Sequence, residues 1–299
     1  MKYAQALALA AALSTAAFGQ GQDFSKVEIK TTKVADNFYT LEGQGGMIGI
    51  LVNPTSIFMV DTQFAPLSEK INAAIKKIST APIRAIVNTH VHGDHTGGDE
   101  NFAKMGAVIL ARDQLRFRLE HPNPGANGQP TPPAAAVGLP AFTYDGPVTL
   151  HYASGDVQLI PIRAAHTDGD TLVVFPTQDV IMTGDYYRSL GYPNIDLANG
   201  GSYRGMVEGL GRTIGLAGPN TKIIPGHGDT VNRDAVAMQR DIMLAVRDNV
   251  AKLVAQGKTV EEVLAAKPTA AFDAKVPQAA MTSERFIRQV YTEVKAGRG

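Results

Sequence analysis

Cysteine is absent from the 299 residues. That excludes disulfides, thiolate zinc sites, cysteine-held iron–sulfur clusters and a cysteine nucleophile. It does not fix the compartment, because an exported protein need not carry disulfides. An excess of one charge is also absent. Lys+Arg and Asp+Glu each number 28, for a formal net charge of zero. No basic surplus exists to hold a nucleic acid through its phosphates. No segment beyond the N-terminus is long and apolar enough to cross a bilayer. Histidine is scarce, seven in the whole chain, yet three of the seven fall in the stretch Asn88-Thr89-His90-Val91-His92-Gly93-Asp94-His95-Thr96-Gly97-Gly98.

The composition is otherwise that of a globular protein, 44% hydrophobic and 19% charged, and α/β architectures of this length often form one domain. The first residues read as a secretory leader. Lys2 supplies positive charge, Ala6 to Ala17 is a short apolar run, and Ala17-Phe18-Gly19 has small residues at the spacing of a cleavage site. A signal peptide is expected over 1–19, with a hydrolase domain over 20–299 delivered to the periplasm. No cysteine is present for lipidation, so no membrane anchor is expected.

Strands are expected between Val27 and Leu41, at Met47–Val52 and at Ile57–Val60, with a hairpin turn at Glu42-Gly43-Gln44-Gly45-Gly46. A helix follows, with Pro66 in its first turn and Leu67, Ile71, Ala74 and Ile78 on one face. Ile83–Val87 reads as a buried strand leading into the histidine stretch, and a helix begins near Phe102. Ala107–Leu110 is a strand and Asp113–Leu119 a short helix. His121 to Ala141 then holds six prolines and three glycines without periodicity, a flap or subunit contact outside either sheet. Beyond it, strands are expected at 156–162, 172–175, 180–182 and 222–224. A helix covers about 203–216, and another is capped by Asn232 and ends at Gly257. From about residue 258 a helical extension opens on the capping pair Thr259 and Glu262 and closes with a helix carrying Phe286, Val290 and Val294. Strands alternate with helices in both halves, which makes the class α/β.

One arrangement recurs four times: an apolar strand ends and a metal-ligating residue type follows at once. Ile83–Val87 leads to His90, His92, Asp94 and His95. Leu159–Ile162 leads to His166, Val180–Met182 to Asp185, and Ile223–Ile224 to His227. Ligands at several strand ends converge on one edge of a sheet, where α/β folds bind ligands. Imidazole and carboxylate are both zinc ligands, and seven are too many for one tetrahedral ion. They suit two metals sharing a carboxylate and a hydroxide, a centre able to attack a carbonyl. The alternative is a polar, hydrogen-bonded turn.

His-x-His-x-Asp-His, then a single His, an Asp after Gly and a His after Gly, resembles the metallo-β-lactamase superfamily over about Val27 to Val250. The resemblance implies a four-layer αβ/βα sandwich and a dizinc hydrolase, with iron or manganese as other occupants. Carried over by position, His90, His92 and His166 would hold the first metal. Asp94, His95 and His227 would hold the second, and Asp185 would bridge them, as in the glyoxalase II-like and lactonase branches. Two lactamase classes place a cysteine where Asp185 stands. The flavodiiron branch has a glutamate where His92 stands. Asp94 would also orient the nucleophile or shuttle its proton.

Asp61 matches a supporting acid of the superfamily pattern or simply ends its strand. Arg188 would grip a substrate carboxylate, or form a surface ion pair. Asn194 would stabilise an oxyanion, or serve as a turn residue. Tyr186 and Tyr187 line the pocket or belong to the core; Met47 forms an apolar wall or an edge strand. His121 and His151 lie outside the pattern. The reading is a hydrolase of an amide, ester or lactone carbonyl in a small molecule, with a β-lactam as leading substrate. Its alternatives are thioester or lactone hydrolysis, with a phosphodiesterase or nuclease behind them. From another class come a metal-dependent oxygenase and a non-catalytic binding module on the same fold.

Overall fold

The structure, a computed structural model, describes residues 23–124 and 128–299; the leader read at 1–19 lies outside them. The first sheet has seven strands in sequential order: β1 (Lys30–Ala35), β2 (Phe38–Glu42), β3 (Ile48–Val52), β4 (Ile57–Val60), β5 (Ile83–Val87), β6 (Val108–Arg112) and β7 (Phe142–Tyr144). The β1 to β4 pairs are antiparallel and the β4 to β7 pairs parallel. Crossover helices link the parallel strands: α1 (Ser68–Ile78) joins β4 to β5. The short α2 (Gly93–Thr96) and α3 (Asp99–Lys104) join β5 to β6, and α4 (Asp113–Glu120) follows β6. The second sheet runs β12-β11-β10-β9-β8, from β8 (Val148–Leu150), β9 (Val157–Pro161), β10 (Thr171–Phe175), β11 (Val180–Met182) and β12 (Lys222–Ile224). Its helices are α5 (Tyr203–Leu216), α6 (Arg233–Ala255), α7 (Val260–Ala265) and α8 (Ala279–Lys295).

The layers follow from the two-residue period of a strand, which sends neighbouring side chains to opposite faces. Phe58 and Val60 of β4 and Val173 and Phe175 of β10 meet in one core between the sheets. Their neighbours Ile57 and Met59 face a second core with Ile71 and Ile75 of α1. Leu172 and Val174 face a third, with Met206 and Leu210 of α5, Met243, Val246 and Val250 of α6, and Phe286 and Val290 of α8. Three cores between four layers make the αβ/βα sandwich.

Elements long enough to show a period sit where the sequence places them. The capping box of α7 closes as expected, with Thr259 and Glu262 each bonded to the other's backbone, and Asn232 accepts from Ala235 N–H at the start of α6. The differences are local. The first strand starts at Lys30 rather than Val27, whose N–H instead turns back to Phe24. The helix expected near Phe102 begins at Asp99, preceded by the one-turn α2 that contains Asp94 and His95. Strands β7 and β8 have no counterpart in the sequence reading, because three residues each is too short for an alternation to register. Among the described residues of 121–141 there is no strand. A turn of 3-10 helix at Ala136–Gly138 packs on α3, and Asn123 donates to Ala198 O and Asn199 Oδ1 at 2.9 and 2.8 Å.

Phe175 sits at the centre of the inter-sheet core, fully buried, edge-on to Phe38 at 4.6 Å and to Phe58 at 6.2 Å. Phe175→Ala is expected to cost about 3–5 kcal/mol of unfolding free energy. Urea denaturation of metal-loaded protein measures it as a lower midpoint at unchanged slope.

Candidate metal centre

Strand direction brings the seven residues together. β9 is antiparallel to β10 and β10 to β11, so β9 and β11 point the same way, and β12 is parallel to β11. The segments leaving their C-terminal ends, with His166, Asp185 and His227, therefore share one edge of the second sheet. In the first sheet, parallel β4 and β5 deliver Asp61 and the 88–98 turn to one edge. The two edges are stitched by Thr171 N–H to Thr89 O at 2.8 Å and Met47 N–H to Gly226 O at 2.8 Å, while Gly46 N–H to Asp94 O at 2.9 Å ties the 42–46 turn to the 88–98 turn within the first half.

The ligating atoms fall into three overlapping groups: His90, His92 and His166; His90, His95 and Asp185; Asp94, His95 and His227, with every atom in a group within 4.8 Å of the others. His92 Nδ1 lies 3.0 Å from His166 Nε2, and His95 Nε2 lies 3.4 Å from His227 Nε2. Asp185 Oδ1 is 3.3 Å from the Nε2 atoms of both His95 and His227, while its Oδ2 is 3.9 Å from His166 Nε2. Asp94 Oδ2 stands 3.1 Å from His227 Nε2. The carboxylate of Asp185 thus faces both groups of imidazoles.

Each of four histidines is held from behind, and that fixes which nitrogen faces inward. His166 Nδ1 donates to Asn194 O at 2.7 Å. His92 Nε2 donates to Asp196 Oδ2 at 2.7 Å. His95 Nδ1 donates to Asp61 Oδ2 at 2.7 Å. Thr89 Oγ1 donates to Asp61 Oδ2 at 2.7 Å, which leaves its oxygen to accept from His90 Nδ1 at 3.1 Å. The inward atoms are therefore lone pairs. His90 Nε2 and Asp185 Oδ1 are buried with no hydrogen-bond partner. Converging acceptors with no donor between them are a cation site, and an all-nitrogen and oxygen set fits zinc, with iron or manganese also compatible.

Proton affinities agree. Burial, then the charge of His95, holds His90 well below the ordinary histidine range. Burial, then His92, pulls His166 down to about 4. Both are neutral ligands near pH 7. Burial also opposes charge on His92 and His95, but Asp196 for the one and Asp61 and Asp94 for the other outweigh it and raise both. Asp94 is desolvated, yet His95 and His227 hold it down at about 2. Asp185 likewise stays well below the usual carboxylate range despite burial, through His227, His95 and Arg188. The centre attracts positive charge.

The close approach of backbone explains two glycines. A Cβ on Gly46 would stand 2.1 Å from the His95 ring, and one on Gly226 would stand 2.0 Å from Asp185 Oδ1. The sequence reading of 42–46 as a simple hairpin turn is thus extended: the turn closes over His95.

Asp61 is a support for His95 and for Thr89, whose N–H it accepts at 2.7 Å. Its backbone lies in the left-handed region at φ 61. Arg188 borders the centre, with Nη1 3.9 Å from Asp185 Oδ2. Asn194 backs His166 from the loop that follows Tyr192. It is 7% exposed, its side-chain oxygen accepts from Gln289 Nε2 at 2.8 Å, and its main-chain oxygen orients His166. Tyr186 and Tyr187 are core residues. Met47 packs half-buried on the inter-sheet core. His121 is exposed and stacks on Phe117, and exposed His151 pairs with Asp156 at 2.9 Å.

Several supports escaped the sequence reading. Asp170 accepts from the N–H groups of His166 and Thr167 at 2.6 and 3.0 Å and so shapes the turn that aims His166; its position four residues after a histidine at a strand end was the available signal. Asp196 and Gln289 gave none, because their partners are remote in sequence. Gln289 Oε1 also accepts Ile195 N–H at 3.0 Å, and Phe286 stacks on Tyr192 at 5.5 Å. Helix α8 therefore grips the 191–196 loop that holds His166 and His92.

The match of the metallo-beta-lactamase superfamily model to residues 44–240 covers most of the chain, and the chain belongs to that superfamily. It is similar to a linear primary-alkylsulfatase of Pseudomonas sp., 21% identical over 283 residues that take in 81% of this chain and 52% of that protein. Its fold is similar to the stereoselective inverting sec-alkylsulfatase Pisa1 from Pseudomonas sp., with a TM-score of 0.66, 16% identity and coverage of 89% of this chain and 50% of that one. It is also similar to a metallo-beta-lactamase from Pontibacter korlensis, with a TM-score of 0.59, 17% identity and coverage of 73% and 99%. The chain thus spans about half the length of the alkylsulfatases and nearly the whole of the lactamase.

Asp61→Asn tests the support behind His95. Asparagine tolerates the left-handed backbone, but its amide cannot accept from both Thr89 and His95. If its nitrogen turns to His95, the ring proton moves to the inward Nε2 and blocks a ligand. Affinity of the second metal should fall about 10- to 100-fold, read by competition with a chromophoric chelator, while the His90–His92–His166 site changes less.

Proposed function

We propose that the protein is an exported two-metal hydrolase that cleaves an amide, ester or lactone carbonyl in a small molecule, with zinc as the metal and a β-lactam as the leading specific substrate. The observation that carries this is the pair of imidazole groups sharing Asp185, with their lone pairs turned inward. His90, His92 and His166 would hold one ion, Asp94, His95 and His227 the other, and Asp185 would touch both. When bound, such a pair supplies a water activated as nucleophile near neutral pH and a Lewis acid for the carbonyl oxygen.

The chain's own residues do the rest. Asp94 is 26% exposed and ionised, so its carboxylate reaches the open side of the centre and can orient the nucleophile and accept its proton. Asp61, Asp196, Thr89 and the carbonyl of Asn194 keep the imidazoles in one tautomer. Arg188 can hold a substrate carboxylate in the bidentate manner of a guanidinium. Asp185 in place of a cysteine keeps thioester and lactone hydrolysis as an alternative. A second reading, hydrolysis of an alkyl sulfate, draws support from the alkylsulfatases that this chain resembles.

The test is a hydrolysis panel on zinc-loaded mature protein, with β-lactams, lactones, thioesters, phosphodiesters and alkyl sulfates side by side. Two metals per chain and complete loss of turnover on chelation are expected. Full activity with a single bound metal would refute the two-metal mechanism. Arg188→Ala should raise KM for carboxylate-bearing substrates roughly ten- to a hundredfold with metal content unchanged, and leave neutral esters nearly unaffected. Equal losses on both would make Arg188 a structural residue.

The export reading rests on the sequence of residues 1–19. Mass spectrometry of secreted protein should find Gln20 at or near the new N-terminus. An intact Met1 in the cytoplasmic fraction would sink it.

A further inference from the structure

The Asp196 carboxylate behind His92 is itself held, and the residue that holds it is Asn199. Asp196 caps a turn of 3-10 helix at Leu197–Asn199. Its Oδ1 accepts Asn199 N–H at 3.1 Å, and its Oδ2 accepts Asn199 Nδ2 at 2.7 Å. That second oxygen is the one that meets His92 Nε2, also at 2.7 Å. Both oxygens are thus bonded by Asn199, which fixes the plane in which the His92 ring finds its acceptor. The main chain of Asp196 donates to His166 O at 2.9 Å, so the same residue touches two of the three histidines of one group.

Asn199 is held in turn from the first half of the chain. Its Oδ1 accepts Asn123 Nδ2 at 2.8 Å. That settles the amide, since turned over it would set its oxygen against the Asp196 carboxylate and its nitrogen against a donor. Its carbonyl accepts Asp168 N–H at 2.9 Å. Asp168 is gripped from α4, by Arg118 through Nη2 at 2.6 Å and Nε at 3.3 Å and by Gln114 Nε2 at 3.1 Å. Gly200 packs against it so closely that a Cβ there would stand 2.5 Å from Asp168 Oδ2. The contacts close a ring: from His92 in the first half to the 196–199 loop in the second, and back to the first through Asn123 and α4.

We propose that Asn199 is a positioning residue for the His90–His92–His166 group: it fixes the Asp196 carboxylate that aims His92, and Asn123 steadies it from the start of the proline-rich segment. The proposal rests on the reading of these three histidines as metal ligands and is independent of which bond the protein cleaves. An imidazole offers its lone pair along one direction, and the group on its far nitrogen sets both the tautomer and the ring angle. A carboxylate released by Asn199 turns about its Cβ–Cγ bond, and the His92 ring follows it away from His166. The amide is uncharged and touches no ligand, so what it contributes is direction, delivered through Asp196.

Zinc competition against a chromophoric chelator measures the affinity of each site without turnover, and the visible spectrum of cobalt(II)-loaded protein reports ligand geometry. Asn199→Ala should weaken the His90–His92–His166 site about tenfold and shift the cobalt bands, while the site of Asp94, His95 and His227 changes little. Asn123→Ala should weaken the same site by a smaller factor. In an Asp196→Ala background, Asn199→Ala should cost nothing further, because the group it acts through is gone. A residue that merely stabilises the loop would lose as much in both backgrounds. Should the Ala variant fail to fold, Asn199→Asp keeps the shape, sets a like charge against Asp196 and is expected to weaken the same site. Unchanged affinity in a folded Asn199 variant, equal weakening of both sites, or an undiminished loss in the Asp196→Ala background overturns the proposal. Wild-type protein that takes up no zinc at the three histidines overturns the metal assignment itself, and the two-metal reading with it.

Discussion

The structure depends on a convergence of acceptors that only a cation satisfies. Five imidazoles and two carboxylates are brought to one edge of the sandwich, and four of the imidazoles are turned by partners behind them so that their lone pairs face each other. Nitrogen atoms at 3.0 and 3.4 Å with no proton between them repel. The fold pre-arranges this arrangement with rigid strands and buried hydrogen bonds, and a metal or a proton relieves it. The raised affinity of His92 and His95 for protons and the depressed pKa values of Asp94 and Asp185 are one effect seen from two sides.

Much of that centre was legible in the sequence because metal chemistry restricts residue type and because the ligands follow strands. His90, His92, Asp94 and His95 lie within one turn, and β9, β11 and β12 each end a few residues before His166, Asp185 and His227. The periodic elements were legible for the same kind of reason: α1, α6 and α8 repeat their apolar residues at helical spacing over several turns. What could not be read is whatever depends on two remote segments meeting. Asp196 serves His92 across 104 positions, and Gln289 serves Asn194 across 95. Asn194 shows what is lost in this way. Its place in the loop suggested a donor to substrate and gave no sign that its two oxygens accept internally, one from Gln289 and one from His166. Strands β7 and β8 were lost for want of length, since three residues show no alternation.

The supports behind the metal centre divide by origin. Asp61 and Thr89 come from the first sheet and steady His90 and His95. Asp170, Asn194 and Asp196 come from the second half and steady His166 and His92. Beside the centre the two halves are joined by the hydrogen bonds from Thr171 to Thr89, from Met47 to Gly226 and from His92 to Asp196. Both candidate groups draw on both halves, His90 and His92 with His166 and Asp94 and His95 with His227, so a shift of one sheet against the other would open both. The inter-sheet core of Phe38, Phe58 and Phe175 resists that shift. Packing far from the site thus bears on the spacing within each group.

Helix α8 adds a layer of control that the matched segment lacks. It contacts no inward ligand atom, yet Thr282, Phe286 and Gln289 hold the 191–196 loop whose carbonyl and carboxylate orient two ligands of one site. The same helix carries Arg285, whose Nη2 donates to Tyr192 O at 3.4 Å. A change in α8 would move the 191–196 loop without touching His90, His92, Asp94, His95, His166, Asp185 or His227 directly. Seven residues aimed at one point leave little room for change among themselves, so elements that lean on them from outside, as α8 does, are where the site can vary.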